Sequence, residues 1–417
     1  MRKFTLSFVV VMMTVLGLFS VKAQAEDWQV YLHNGIDNTL IRVSANGESD
    51  VVDFGFGDNT FVGAGDFAFS SDGTLAAVCA NQPPTSENMV QMWQFILRDL
   101  VSGTNLIDMQ LDDIAGCRMG AFSPDDSTIA VGILNYIAFD ETADTSGPEW
   151  EIRLYDLNGG IANSITANEA PPAVLSNLAN FPIIPTVTQF DDNGLVAIGY
   201  PGVGMGIGGA LPVFGWSFAD NSITEVPTYF GNLNGDFLPA TGETVFAELD
   251  DSLPAGEPMG PVFVANTVRV ADANGDITTI YENTVDVILN ATFINDGQAV
   301  LVQLLEPFNM DEPTEISTSR FVIIGRDGVV SEIDQHFLSF AQGVAVPGGW
   351  ILVWAEQDPT QAEPPINHID DYTSGTATRV YTYETPENSE RWTILGVAWT
   401  PEIMVNGDLP AFTAFVR

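Results

Sequence analysis

From residue 26 onward the chain is written in apolar runs of four to eight residues, each closed by a polar turn. Phe69-Ser70-Ser71-Asp72-Gly73 precedes Leu75-Ala76-Ala77-Val78, and Phe122-Ser123-Pro124-Asp125-Asp126 precedes Ile129-Ala130-Val131. Phe190-Asp191-Asp192-Asn193-Gly194 precedes Leu195-Val196-Ala197-Ile198, and Phe293-Ile294-Asn295-Asp296-Gly297 opens a fourth copy. Short apolar runs closed by Asn-Gly or Asp-Gly predict hairpin strands, because those residues tolerate the left-handed backbone of a tight reversal. Weaker copies turn at Gly242 and Gly349, and Trp399-Thr400-Pro401-Glu402 starts a seventh. The turns at 73, 126, 194, 242, 297, 349 and 403 are separated by 53, 68, 48, 55, 52 and 54 residues, a mean of 55. A second series lies between them, near Gly47, Gly103, Gly159, Asn221, Gly275, Gly328 and Pro386. β-branched and aromatic stretches such as Gln29-Val30-Tyr31-Leu32 and Phe321-Val322-Ile323-Ile324 precede these turns. No long stretch has helical period, and Pro171 to Leu178 is the best candidate for one short helix.

Two hairpins per period make a four-stranded antiparallel unit, and seven such units predict an all-β, seven-bladed β-propeller. The chain opens on an outer-type hairpin at Gly47 and closes on an inner-type one after Trp399, so the two are expected to complete one blade together. That closure removes a free sheet edge. A radial stack also explains how residues 26–417 can form a single domain larger than one core usually supports.

Phe122-Ser123-Pro124-Asp125-Asp126-Ser127-Thr128-Ile129-Ala130 and Glu151-Ile152-Arg153-Leu154-Tyr155-Asp156-Leu157-Asn158-Gly159-Gly160 resemble the inner and outer strand signatures of WD40-like propellers. The resemblance follows the period along the chain and is sharp in three or four blades. Tyr155-Asp156 stands where Trp-Asp is usual, and the Gly-His dipeptide is absent. The resemblance implies a rigid binding scaffold and supplies no catalytic residue to carry over.

Residues 1–25 have the layout of a secretory signal: Arg2 and Lys3, an apolar run from Phe4 to Val21, and the small-x-small site Ala23-Gln24-Ala25. An uncleaved membrane anchor is the competing reading, since the run approaches spanning length. With cleavage the protein is expected to be soluble, monomeric and secreted or periplasmic, without stable membrane insertion. The signal also changes the charge. The whole chain carries -42, but Lys occurs only at Lys3 and Lys22, so the remainder has ten Arg against 55 acids, hence -45. Nucleic acid is excluded as a partner, because a phosphate backbone demands a surface rich in Lys and Arg. Anionic lipid is disfavoured for the same reason. Disorder is not implied, since 46% hydrophobic residues suffice for a core. Cys79 and Cys117 either bridge, which an oxidising compartment permits, or sit as two small buried apolar side chains.

Long connections are expected between the inner and outer hairpins, at Ala80–Met89, Leu134–Glu149, Tyr200–Leu211, Asp251–Gly260, Glu306–Thr318 and Glu356–Ala377. They are rich in Pro and acids, and the propeller reading places them on one face. Candidate ligand-binding residues are Asp140, Glu141 and Asp144, then Asp311 and Glu312, then Glu356, Asp358, Asp370 and Asp371, with His368 and Tyr372 beside the last group. Long loops on a rigid scaffold commonly carry binding sites; solvated decoration is the alternative. Calcium is the cation to consider as a cofactor, because Asp272, Asn274 and Asp276 present oxygens at alternating positions, and Asn232 to Asp236 is similar. The glycine falls one ligand too early for a full calcium loop, and turn chemistry explains both runs.

Signals for catalysis fail in turn. Gly204-x-Gly206-x-x-Gly209 runs into Ala210-Leu211-Pro212-Val213-Phe214, with no helix to hold a phosphate. No Gly-x-Ser-x-Gly elbow is present, and His33, His336 and His368 lack metal-ligand spacing. The expectation is a scaffold binding a protein, cationic or carbohydrate ligand through its long acidic loops. A propeller hydrolase for glycosides or phosphoesters using paired carboxylates, and a structural envelope or matrix component, are the alternatives.

Overall fold

The structure, a computed structural model, describes residues 28–34, 39–56, 60, 62, 67–82, 92–112, 114–135, 150–166, 183–201, 213–227, 229, 235–238, 240–253, 265–306, 318–333, 335, 337–338, 341–356, 366–384 and 402–406. These contain no α-helix. The helix candidate at 171–178, the signal segment and Pro386 lie outside them.

The strands form seven antiparallel sheets. Blade 1 joins β1 (Gln29–Asn34), β2 (Thr39–Ser44) and β3 (Ser49–Val52) to β29 (Glu402–Asn406), in the order β29-β1-β2-β3. Blade 2 contains β4 (Phe67–Phe69), β5 (Leu75–Gln82), β6 (Met92–Asp99) and β7 (Thr104–Leu111). Blade 3 contains β8 (Ile114–Phe122), β9 (Thr128–Asn135), β10 (Trp150–Asp156) and β11 (Ile161–Thr166). Blade 4 contains β12 (Ile183–Asp191), β13 (Gly194–Pro201), β14 (Val213–Ser217) and β15 (Ser222–Glu225). Blade 5 contains β16 (Asp236–Leu238), β17 (Glu243–Glu248), β18 (Thr267–Ala271) and β19 (Ile277–Glu282). Blade 6 contains β20 (Val287–Ile294), β21 (Ala299–Leu305), β22 (Thr318–Gly325) and β23 (Val330–Glu332), and the short β24 (Phe337–Leu338) also pairs with β22. Blade 7 contains β25 (Gln342–Val346), β26 (Gly349–Glu356), β27 (Ile366–Asp371) and β28 (Thr378–Glu384). First strands of successive blades, β4 and β8, β8 and β12, β16 and β20, β20 and β25, contact one another, as strands crowded around an axis must. The chain is a seven-bladed β-propeller.

The turn chemistry lies where the sequence placed it except at 403, which is not a turn but lies inside β29, where Ile403 pairs with Leu32. Gly47, Gly73, Gly103, Gly159, Gly242, Gly275, Gly297 and Gly328 take positive φ, and Asp126 and Asn221 replace glycine at φ 55° and 52°. Asn and Asp tolerate this conformation because their short side chains bond locally. Two other details differ from expectation. The two parts of the chain do meet in blade 1, but they divide three strands to one, because β1 pairs directly with β2 across residues 35–38 and with β29 on its other edge. The last outer turn lies at 372–377 around Gly375 (φ 79°), so residues 366–371 are strand rather than loop.

Alternation along each strand sends successive side chains to opposite blades. On β5, Ala77 and Cys79 face blade 3, joining Met119, Ile129 and Tyr155, while Ala76, Val78 and Ala80 face Tyr31, Leu40 and Val52 of blade 1. Trp150 and Ile152 meet Val187 and Phe214; Val245 and Val268 meet Ile288 and Phe293; Leu301 and Phe321 meet Trp350 and Leu352; Val344 and Val353 meet Val30 and Val43. Between blades 4 and 5, Tyr229 stacks on Phe246 with centroids 5.4 Å apart. The core is therefore a set of seams rather than one centre.

Polar ties reinforce the seams. Tyr31 Oη donates to the Gly73 carbonyl at 3.3 Å. Ser71 N–H and Oγ donate to the Asp126 carboxylate at 3.0 and 2.6 Å. Arg326 clamps Glu243 with two bonds of 2.8 Å, holding that carboxyl below its ordinary range. Cys79 and Cys117 are joined by a disulfide between β5 and β8, with Cα atoms 6.0 Å apart.

Candidate binding face

Because the four strands of a blade alternate in direction, its two hairpin turns point one way and the connection between second and third strands points the other. The long stretches 83–91, 136–149, 202–212, 254–264, 307–317 and 357–365 all fall in that second position. The described strand ends that bracket them lie on the same side of their blades as the ends from which the chain passes to the next blade. Asp140, Glu141, Asp144, Asp311, Glu312 and Asp358 belong to these stretches and lie outside the described residues.

The described frame beneath this face is built of arginine–carboxylate pairs. In blade 5, Arg269 pairs with Glu248 and, at 2.9 Å, with Asp250. Asn266 fixes the base of that connection by accepting the Asp250 N–H at 2.7 Å and donating to the Asp250 carbonyl at 3.0 Å. At the entry to blade 6, the buried Asp286 accepts from Arg320 Nε at 3.1 Å and from Asn283 Nδ2 at 3.2 Å, while Arg320 Nη1 reaches Glu332 at 3.2 Å. Burial pushes the adjacent Tyr281 hydroxyl above its usual range. The backbone bond from Glu306 N–H to Thr318 O, 2.9 Å, closes the base of the 307–317 connection.

Blade 7 holds a connected polar group of described residues. Trp354, His368 and Thr382 stand opposite one another on β26, β27 and β28. Trp354 Nε1 donates to Asp370 Oδ2 at 2.6 Å, and Arg379 Nε donates to Asp370 Oδ1. The Arg379 guanidinium lies 5.1 Å from the Trp354 ring centre. Arg379 Nη1 also donates to His368 Nδ1 at 2.7 Å, which leaves the proton on Nε2, facing Glu356 Oε2 at 3.3 Å. Burial, and then the Arg379 charge, lower the imidazole below its ordinary range, so it is neutral at pH 7. Its one lone pair is taken by Arg379, so His368 is a structural member of the network and not a poised general base.

Three tentative ligand residues are thereby separated. Glu356 ends β26 at the long-connection face and is exposed. Asp370 is not on a loop: it is buried on β27, with both oxygens held. Asp371 sits at the opposite, short-turn end, where it accepts the Thr373 N–H. A six-residue strand spans about 17 Å, so Glu356 and Asp371 cannot meet one small ligand. In sequence 356–377 reads as one loop, because Pro364, Pro365 and the acids dominate it. The only apolar residues of that strand, Ile366 and Ile369, are three positions apart rather than two, so no alternation marks it in the sequence.

Asp272, Asn274 and Asp276 belong to the β18–β19 hairpin turn, also on the short-turn side. Asp272 Oδ1 accepts the N–H groups of Asn274 and Asp276 at 2.8 and 2.9 Å, and these bonds lower its pKa. That is the arrangement of an Asp-initiated turn with Gly275 at φ 85°. Among the described residues, no three His, Cys, Asp or Glu side chains gather as a metal-binding group. Arg42, Arg153, Arg269, Arg320, Arg326 and Arg379 are each paired with a carboxylate.

No protein-family model and no curated protein sequence matches the chain. Among solved structures it is similar to TolB from Acinetobacter baumannii, at 14% identity and a TM-score of 0.38, over 74% of this chain and 64% of that one. It is also similar to the β-propeller domain of the Trilobed protease from Pyrococcus furiosus, at 13% identity, TM-score 0.44, over 78% and 84% of the two chains. A third is an oligogalacturonate lyase in complex with manganese, at 11% identity, TM-score 0.46, over 88% and 89%. The chain thus spans less than two thirds of TolB. These likenesses carry nothing about ligand or reaction, and none of the three is a WD40 protein. The fold rests on the strand pairing itself. No helix among the described residues is long and apolar enough to cross a membrane.

Proposed function

We propose that the chain is an exported binding scaffold that takes a cationic or neutral ligand, such as a basic protein segment, a divalent ion or a carbohydrate, on its long-connection face. The supporting observation is topological: six long connections occupy the same position in their blades, three of them (136–149, 307–317 and 357–365) rich in acids, over a frame in which Arg269 and Arg320 are already paired. Clustered carboxylates on such connections attract positive charge. The acting residues are Asp140, Glu141, Asp144, Asp311, Glu312, Glu356 and Asp358. Asp370 and Asp371 play no part, one being buried and the other on the far side.

The test replaces those seven acids by their amides in the chain from residue 26. Binding of a lysine-rich peptide, and of calcium, is followed by calorimetry at fixed ionic strength. At least tenfold weaker binding with an unchanged circular dichroism spectrum is expected. Undiminished binding of both probes, or binding by neither protein, refutes the proposal.

A further inference from the structure

Asp236 opens β16, the first strand of blade 5, within the Asn-Gly-Asp run that formally resembled a calcium loop. It is not a surface ligand. Its residue is 3% exposed and lies on the seam with blade 6. Thr292 Oγ1 and the Phe293 N–H, both on β20, donate to Oδ2 at 2.8 and 2.9 Å, and the Phe237 N–H donates to Oδ1 at 2.8 Å. No cation is among these partners. The charged groups of the packed elements are engaged elsewhere: Glu243 and Glu248 on β17 with Arg326 and Arg269, and Asp286 before β20 with Arg320. β20 itself carries no charged residue.

A carboxylate buried without a counter-ion resists ionisation, because three hydrogen bonds replace only part of the lost hydration. Burial pushes the Asp236 carboxyl up to about 6, against the pull of those bonds, and no charged neighbour contributes. The Thr292 hydroxyl can donate to the anion or accept from the acid, so both forms fit the same geometry.

We propose that Asp236 is a pH-sensitive latch across the blade 5–blade 6 seam, protonated and tight in a mildly acidic medium, ionised and looser at neutral pH. The sign follows from linkage. A carboxyl raised in the folded state contributes stability that is fully present below its ordinary value of 3.8 and is lost as pH rises through about 6. Glu243 and Asp72 act oppositely, since both are lowered and lose their contribution only as pH falls below the ordinary range. The two effects therefore overlap only between the ordinary values of 3.8 and 4.5 and are separate above that. A displacement of about two pKa steps corresponds to about a hundredfold change in the seam's opening equilibrium.

Hydrogen exchange at the Phe237 and Phe293 amides, corrected for the intrinsic pH dependence, tests this between pH 4 and 7.5. Opening should rise toward a hundredfold across the interval in the wild type and stay flat in Asp236→Asn, with β5 in blade 2 unaffected in both. Parallel profiles in the two proteins, or an equal rise in every blade, overturn the proposal. Thr292→Val provides a second arm should the amide variant fold poorly. It removes one bond to the anion, so the midpoint should move to higher pH, and an unmoved midpoint refutes the latch.

Discussion

Gly132 lies inside β9 of blade 3, between Val131 and Ile133, with nothing in its surroundings in sequence to distinguish it from a tolerated strand glycine. A Cβ there would stand 1.8 Å from the Pro185 carbonyl oxygen and 2.9 Å from its carbon, on β12 of blade 4. The obstacle is backbone, so no rotamer change relieves it. Ordinary contact begins near 3.4 Å, so Gly132→Ala must open the blade 3–blade 4 seam by about 1.6 Å. Trp150, Ile152, Val187 and Phe214 face one another across that seam. If each loses a third of ~20 cross-seam atom pairs, at about 0.15 kcal/mol each, the loss is about 4 kcal/mol. Alanine regains about 0.5–1 kcal/mol over glycine in a strand, leaving a net cost of about 3 kcal/mol, at the upper end for overpacked cores. Gly215→Ala on β14 is the control, because its Cβ would approach the Val226 side chain at 3.1 Å and otherwise make only ordinary contacts, with Thr224 Oγ1 at 3.5 Å and the Leu195 carbonyl at 3.9 Å. Urea unfolding of the two variants beside the wild type supplies the measurement. A cost at Gly132 no greater than at Gly215 would show that the blades do not approach as described.

Two further outcomes are expected. Replacing Cys79 and Cys117 together by Ala frees 38 residues of separation, for which loop closure gives about 4 kcal/mol, and reductant should lower the midpoint of the wild type alone. Equal sensitivity of wild type and variant to reductant would count against the bridge. Arg379→Ala leaves the buried Asp370 without its cation; because Arg379 is partly exposed, the expected cost is about 2 kcal/mol, largely restored by adding Asp370→Asn. Additive losses in the double variant, read from the same unfolding curves, would contradict the pairing.

The sequence alone determined the repeating architecture. Turns at Gly73, Asp126, Gly242 and Gly297 and the runs that follow them are local, since a left-handed residue and a two-residue alternation need no distant partner to be read. Seven units, the single-sidedness of the long connections and the meeting of both parts of the chain in blade 1 followed from counting. Local signals misled where polar residues belong to a strand: His368 and Asp370 read as loop because their partners Trp354 and Arg379 are supplied by neighbouring strands. Tertiary structure decided which positions lie against another blade. Gly132, Asp236 and Cys79 look ordinary in sequence, and each derives its role from the seam it faces: a backbone oxygen 1.8 Å from where a Cβ would stand, a carboxyl without water, a sulfur within bonding reach. The charge shows the same division, for its total was legible in the sequence, but that the frame's arginines are tied to carboxylates was known only once the strands were paired.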